Sequence, residues 1–117
     1  MSFQRGDVVL ATLPFVTRPG SKLRPVLVIQ NDASNARMQN TIVAFITTNL
    51  SRAHLPTQVL IEVNTPAGRQ SGLIADSVVT CENLITIRQS QARRIGSLPP
   101  EVVQHVDAAL KASLGLP

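Results

Sequence analysis

The sequence predicts a mainly β protein, a small barrel with a C-terminal α-helix covering one side. Short β-branched and apolar runs recur along the chain as far as Ile87, and Pro, Gly or polar clusters separate them. A single stretch of helical periodicity follows, after Pro99-Pro100. Several short strands with tight turns, followed by one helix, suggest a small barrel.

The first strand is read at residues 8–11 (Val-Val-Leu-Ala), after the turn-like Arg5-Gly6-Asp7. Residues 17–22, Thr-Arg-Pro-Gly-Ser-Lys, read as a loop because Pro-Gly punctuates and polar residues cluster there. Pro25 is expected to open a second strand, 25–29, as the first residue, a position that tolerates proline. Residues 31–40 are polar and read as a loop. Residues 41–47 are β-branched and apolar, as a central strand should be. Residues 57–63 alternate enough for a half-buried strand, and 76–80 and 84–87 read as two further short strands. In the last element Val102, Val103, Val106, Ala109, Leu110 and Leu114 recur at helical spacing, with proline at the start and Gly115 at the end. No linker or repeat divides the 117 residues, so one domain, 1–117, is expected.

The chain carries eleven Lys and Arg against seven Asp and Glu, net +4, with a pI near 10.7. Nine of the eleven cations are arginine, whose planar fork holds two phosphate oxygens at once. Nucleic acid is therefore the first partner to consider. With only Phe3, Phe15 and Phe45 as aromatics, a base-stacking platform is disfavoured, and RNA would be held by phosphate clamping and groove shape. The apolar runs are too short to span a bilayer and the N-terminus shows no apolar signal segment, so no membrane role and a cytoplasmic location are expected. Cys81 is the lone cysteine, which rules out an internal disulfide, and it reads as a small structural residue. His54 and His105 are far apart without cysteine partners, so no metal site is visible. Neither a glycine-rich phosphate loop nor a nucleophile elbow is present.

Arg24 stands out because it follows a basic loop and precedes a stiff apolar run, a combination that suits a catalytic cation. Thr47 and Thr48 end another apolar strand, where a hydroxyl could reach the same mouth. A solvated loop arginine and β-branched strand filler are the plainer readings of these residues taken alone.

In order along the chain, Arg5-Gly6-Asp7-Val8-Val9-Leu10, Arg24-Pro25-Val26-Leu27-Val28-Ile29-Gln30-Asn31-Asp32 and Ile42-Val43-Ala44-Phe45-Ile46-Thr47 are followed by Leu55-Pro56-Thr57-Gln58-Val59. Asp76-Ser77-Val78-Val79, Asn83-Leu84-Ile85-Thr86-Ile87 and Gly96 to Leu98 come next, then the helix 102–116. This ordered set resembles the MazF/PemK toxins of bacterial type II toxin–antitoxin systems over nearly the whole length. The resemblance implies an SH3-like barrel, a homodimer, and an endoribonuclease that cuts single-stranded mRNA at selected sequences and so blocks translation. It implies no cofactor, and a cognate antitoxin as partner, with DNA bound only through the toxin–antitoxin complex. It places the catalytic arginine on Arg24 and the catalytic threonine on Thr47, and it puts Ser77 and Asn83 near the RNA path. Lys22 and Arg18, in the basic loop, would add contacts to RNA.

The loop before the arginine departs from the family. Several members carry a glutamate there, whereas this chain reads Arg18-Pro19-Gly20-Ser21-Lys22-Leu23 with no acid. Another group takes over as general base, Lys22 changes the mechanism, or activity is weak. The competing reading is a CcdB-like toxin of the same fold, which poisons a DNA topoisomerase through its C-terminal helix and needs no catalytic arginine. A DNA-binding repressor fits poorly, because only one helix is legible and no helix-turn-helix pair is seen.

Overall fold

A computed structural model of the chain describes residues 2–15 and 17–117. Six strands form one antiparallel sheet that curls into a partial barrel, in the order β4-β5-β3-β2-β1-β6. In chain order the elements are β1 (Asp7–Pro14), β2 (Ser21–Val28), α1 (Asp32–Arg37), β3 (Asn40–Thr47), β4 (Gln58–Ile61), α2 (Pro66–Ser71), β5 (Ser77–Arg88), a 3₁₀ turn (Gln89–Gln91), β6 (Ala92–Ser97) and α3 (Pro100–Leu114).

The sheet buries both faces. On one, Val8, Leu27, Ala44, Ile46, Val79 and Cys81 pack with Val106 and Ala109 of α3. On the other, Val9, Leu13, Val26, Val28 and Val43 pack with Phe45, Ile85 and Phe3. The period-two alternation of a strand supplies both sets from the same segments. In α3, Pro100 occupies the first turn and Gly115 closes the helix at φ +69°, as expected from the sequence.

Four expectations need correction. First, β2 begins at Ser21 rather than Pro25, so Pro25 lies inside a strand. It is tolerated because pairing with β3 begins only at Val26, leaving the strand an open edge on that side. Second, residues 31–40 are not all loop. Asn31 caps the short helix α1, its side chain accepting from the Ser34 N–H at 2.7 Å. The helix is polar, and its buried residue Asn35 bonds to Gln30 and Thr41 instead of entering an apolar stripe. Third, residues 76–80 and 84–87 belong to one strand. The register against β3 passes from Ala44↔Leu84 to Phe45↔Thr80, so Cys81, Glu82 and Asn83 form an extended bulge. Fourth, α2 and β6 went unread. The two arginines of Ala92-Arg93-Arg94-Ile95 mask the strand pattern of β6.

Helix α2 brings the sheet's open edges together. It follows β4 and packs on β6, with Gln70 Nε2 donating to Ser97 Oγ at 3.1 Å. A Cβ on Gly96 would fall 2.3 Å from the Ser71 carbonyl carbon, so only glycine allows this approach.

Candidate active site

Strands β2 and β3 separate beyond Val26↔Phe45, and a cleft opens where they part. Extending their register by two residues sets Arg24 opposite Thr47, the last residue of β3. Cross-strand partners project to the same face, here the face that buries Val26 and Val28, so a guanidinium and a hydroxyl stand on facing lips. Both residues line the cleft, which has a volume of about 310 Å³.

The chain after Thr47 folds through side-chain turns. The Asn49 N–H donates to Thr47 Oγ1 at 3.1 Å, and the Ser51 N–H donates to Asn49 Oδ1 at 3.1 Å. With one lone pair of its oxygen occupied, Thr47 keeps its hydroxyl proton free to donate into the cleft. The same turn brings Arg52 to the lining. The bulge of β5 contributes Asn83, and Thr80 and Gln58 form the floor at their paired positions on β5 and β4.

Electrostatically the cleft is cationic. Arg24 and Arg52 line it, and no carboxylate, histidine or cysteine does so among the described residues. The ion pairs of the described residues, Arg5–Asp107 and Arg94–Asp7, involve neither cleft arginine. Cys81 lies elsewhere, fully buried in the core against α3, and that burial pushes its thiol up to about 11, the charge of Arg5 offsetting only part of the shift. Its structural reading fits this environment.

The structure thus gathers Arg24, Thr47 and Asn83 into one cleft. It does not gather Ser77, which is 2% exposed and spends its hydroxyl on the Ala75 carbonyl at 2.8 Å. At that depth Ser77 shapes the start of β5. Lys22 and Arg18 lie outside the lining, on the β1–β2 hairpin. Lys22 is two residues before Arg24 on β2 and shares its face. The Arg18 guanidinium stacks 4.2 Å from the centre of the Phe15 ring. Arg52, Asn49, Gln58 and Thr80 went unread in the sequence. The polar run Asn49-Leu50-Ser51-Arg52 straight after Thr47 was the available signal.

Fold and cleft together place the chain among small, mainly β proteins that carry an arginine-lined cleft where two strands of the sheet part. Residues 4–114 match the family described as PemK-like, MazF-like toxin of type II toxin–antitoxin system, and the chain belongs to that family. It is 41% identical to Endoribonuclease EndoA of Bacillus subtilis (strain 168) over 118 residues, covering 99% of this chain and 97% of that protein. The solved Mycobacterium tuberculosis toxin MazF-mt6 superimposes with a TM-score of 0.76 at 28% identity, covering 95% and 98% of the two chains. A mycobacterial endoribonuclease in complex with its cognate antitoxin has the same fold, with a TM-score of 0.77 at 23% identity and coverage of 99% and 98%.

Proposed function

We propose that this chain, as one toxin domain spanning residues 1–117, is the endoribonuclease of a type II toxin–antitoxin system and cuts single-stranded mRNA at the Arg24–Thr47 cleft. The observation that carries the site is the pair of facing lips, a strand-anchored guanidinium opposite a hydroxyl with its proton free. Family membership disfavours the topoisomerase-poison reading, and the cleft lies on the sheet face away from α3, the helix that such a poison would use.

RNA carries its own nucleophile, the 2′-hydroxyl, so the protein has to align that oxygen with the phosphorus and stabilise the charge that builds on the phosphate oxygens. Arg24 clamps the scissile phosphate, and its permanent charge suits the pentacoordinate state. The Thr47 hydroxyl donates to a phosphate oxygen or orients the 2′-hydroxyl. Arg52 grips the phosphate or its neighbour from the far side of the turn. Attack by the 2′-oxygen forms its bond to phosphorus as the bond to the 5′-oxygen breaks. The products are a 2′,3′-cyclic phosphate and a 5′-hydroxyl, with the 2′ proton passing to solvent and another proton reaching the leaving oxygen. Lys22 and Arg18 on the hairpin extend the cationic track toward flanking nucleotides, and Asn83 holds the strand within the cleft. The protein works in the cytoplasm as a homodimer, as the resemblance to its family implies, and a cognate antitoxin restrains it, by analogy with the mycobacterial endoribonuclease in complex with its cognate antitoxin; DNA is contacted only by the toxin–antitoxin pair.

The deciding experiment is cleavage of a mixed-sequence RNA by purified protein in EDTA, beside Arg24→Ala. Removing one charge stabiliser typically costs about 10²–10³ in rate, so the variant should fold and cut at that reduced level. Full activity in Arg24→Ala would sink the site, and no cutting by folded wild type would sink the nuclease.

A further inference from the structure

We propose that Gln58 reads one base of the bound RNA through its side-chain carbonyl, and that Glu82 and Thr57 fix the polarity with which it does so. The inference rests on the nuclease reading of the cleft and assigns it a specificity determinant. Gln58 lines the cleft and is 9% exposed. Its amide is held from behind: Nε2 donates to Thr57 Oγ1 at 3.0 Å and makes a longer contact of 3.4 Å to Glu82 Oε1. The Thr57 hydroxyl itself donates to Glu82 Oε1.

Proton counting sets the orientation. An ionised carboxylate only accepts, and a threonine hydroxyl has one proton to give. Glu82 takes that proton, so Thr57 oxygen is left to accept, and its partner has to be the NH₂ of Gln58 rather than the C=O. The carbonyl of Gln58 then faces the cleft. No protein donor among the described residues reaches this oxygen, and it is not a sealed, unsatisfied atom. The cleft therefore presents a fixed acceptor beside two phosphate-gripping arginines. Its match is a base edge that offers an N–H, above all an exocyclic amine. The bulge of β5 makes the relay possible, because it pushes Glu82 out beside Thr57 while its neighbour Asn83 turns into the cleft. Gln58 and Glu82 are positioning and recognition groups, separate from the phosphate clamp.

The test is end-sequencing of the fragments from a randomised RNA pool cut by wild type, Gln58→Met, Thr57→Val and Glu82→Ala. Gln58→Met should lose about 5- to 10-fold of its discrimination at one nucleotide position, the size of a single hydrogen bond, with the other positions unchanged. Glu82→Ala leaves the Thr57 hydroxyl free either to accept from the Gln58 amide or to donate to its carbonyl, so the amide is no longer held one way round. The same position should then admit acceptor-bearing as well as donor-bearing bases. Thr57→Val should relax that position without inverting it. Glu82 is exposed, so its variant tests the inference even where Gln58→Met fails to fold. Cutting by all proteins with an unchanged motif overturns the inference and leaves the nuclease standing. A motif blurred equally at every position overturns it too, since that is the mark of a disordered cleft. Wild type that cuts no RNA removes the nuclease reading and this inference with it.

Discussion

Arg24 gains its position from a strand that has just lost a neighbour. It is still paired to Ala11 of β1 but has no β3 residue bonded beside it, so its backbone is fixed while its side chain has room. Thr47 lies at the matching place on β3, and its oxygen is oriented by the Asn49 N–H. If the hydroxyl proton is what matters, Thr47→Ser should retain most activity and Thr47→Val should lose about tenfold or more. Single-turnover cleavage rates check this, and equal rates in the two variants would deny the hydroxyl a role. The cleft lining also sets a pH profile. It holds no carboxylate, histidine or cysteine, and arginine stays charged through the working range. Cleavage should therefore climb steadily between about pH 5.5 and about pH 9 instead of following a bell. A bell-shaped profile would point to a base that enters with the substrate or from outside the lining. Cys81 makes a separate statement. Its thiol ionises near 9.0 when unburied but only at about 11 in the fold. Between those values the unfolded chain sheds a proton that the folded chain keeps, so stability falls as pH climbs from 9.0 toward 11 and is untouched by this thiol below 9.0. Urea midpoints near the two ends of that window should decline in wild type more than in Cys81→Ala.

At the scale of elements, two features connect the fold to the site. The bulge in β5 interrupts one strand to deliver Asn83 to the cleft and Glu82 to Thr57. Bulges recur beside active sites because they re-aim side chains without ending the strand. The second feature is the seating of α2 on β6, which closes the gap between the sheet's edges through Gly96. A methyl at Gly96 has no space, since backbone atoms of Ser71 stand in its place, and Gly96→Ala should cost about 1–3 kcal/mol by overpacking. Gly115 differs. It has open space around it and a φ of +69°, so Gly115→Ala should cost only about 1 kcal/mol of backbone strain at the end of α3. Urea denaturation of the two variants separates these mechanisms. Equal midpoints would mean that α2 yields freely and does not clamp the edge.

For the whole molecule, the net charge of +4 acts with the cleft rather than apart from it. Arg24, Arg52, Lys22 and Arg18 take no part in the ion pairs of the described residues, so their field is uncompensated locally. RNA binding should weaken steeply with salt, about 0.7 of a logarithmic unit per phosphate contact per tenfold rise. The slope should fall by about one contact in Lys22→Ala if the hairpin joins the track. Fluorescence anisotropy with a short labelled RNA and the Arg24→Ala protein, which binds without cutting rapidly, measures both. A salt-independent affinity would remove the electrostatic groove from the account.

The sequence by itself determined the class of fold, the order of its apolar strands and the C-terminal helix, because those follow from periodicity and turn residues read locally. It also marked Arg24 and Thr47 by their places at the ends of apolar runs. Tertiary structure decided what local patterns do not encode. The six-residue helices α1 and α2 are too short to hold themselves, and burial of Asn35 and the contact with Gly96 keep them folded. The continuity of β5 across Cys81-Glu82-Asn83 depends on β3, which pairs with it on both sides of the bulge, while β4 pairs only before it, at residues 77–80. The same holds for the cleft. Arg24 and Thr47 face each other because β2 and β3 pair in one register and then part, while Arg52 joins them from the turn after Thr47, and Gln58 and Asn83 from strands farther along the chain. Ser77 shows the converse, since the resemblance puts it near the RNA path while the fold buries it at the start of β5. Register and burial are long-range properties, fixed only when strands remote in sequence settle against one another.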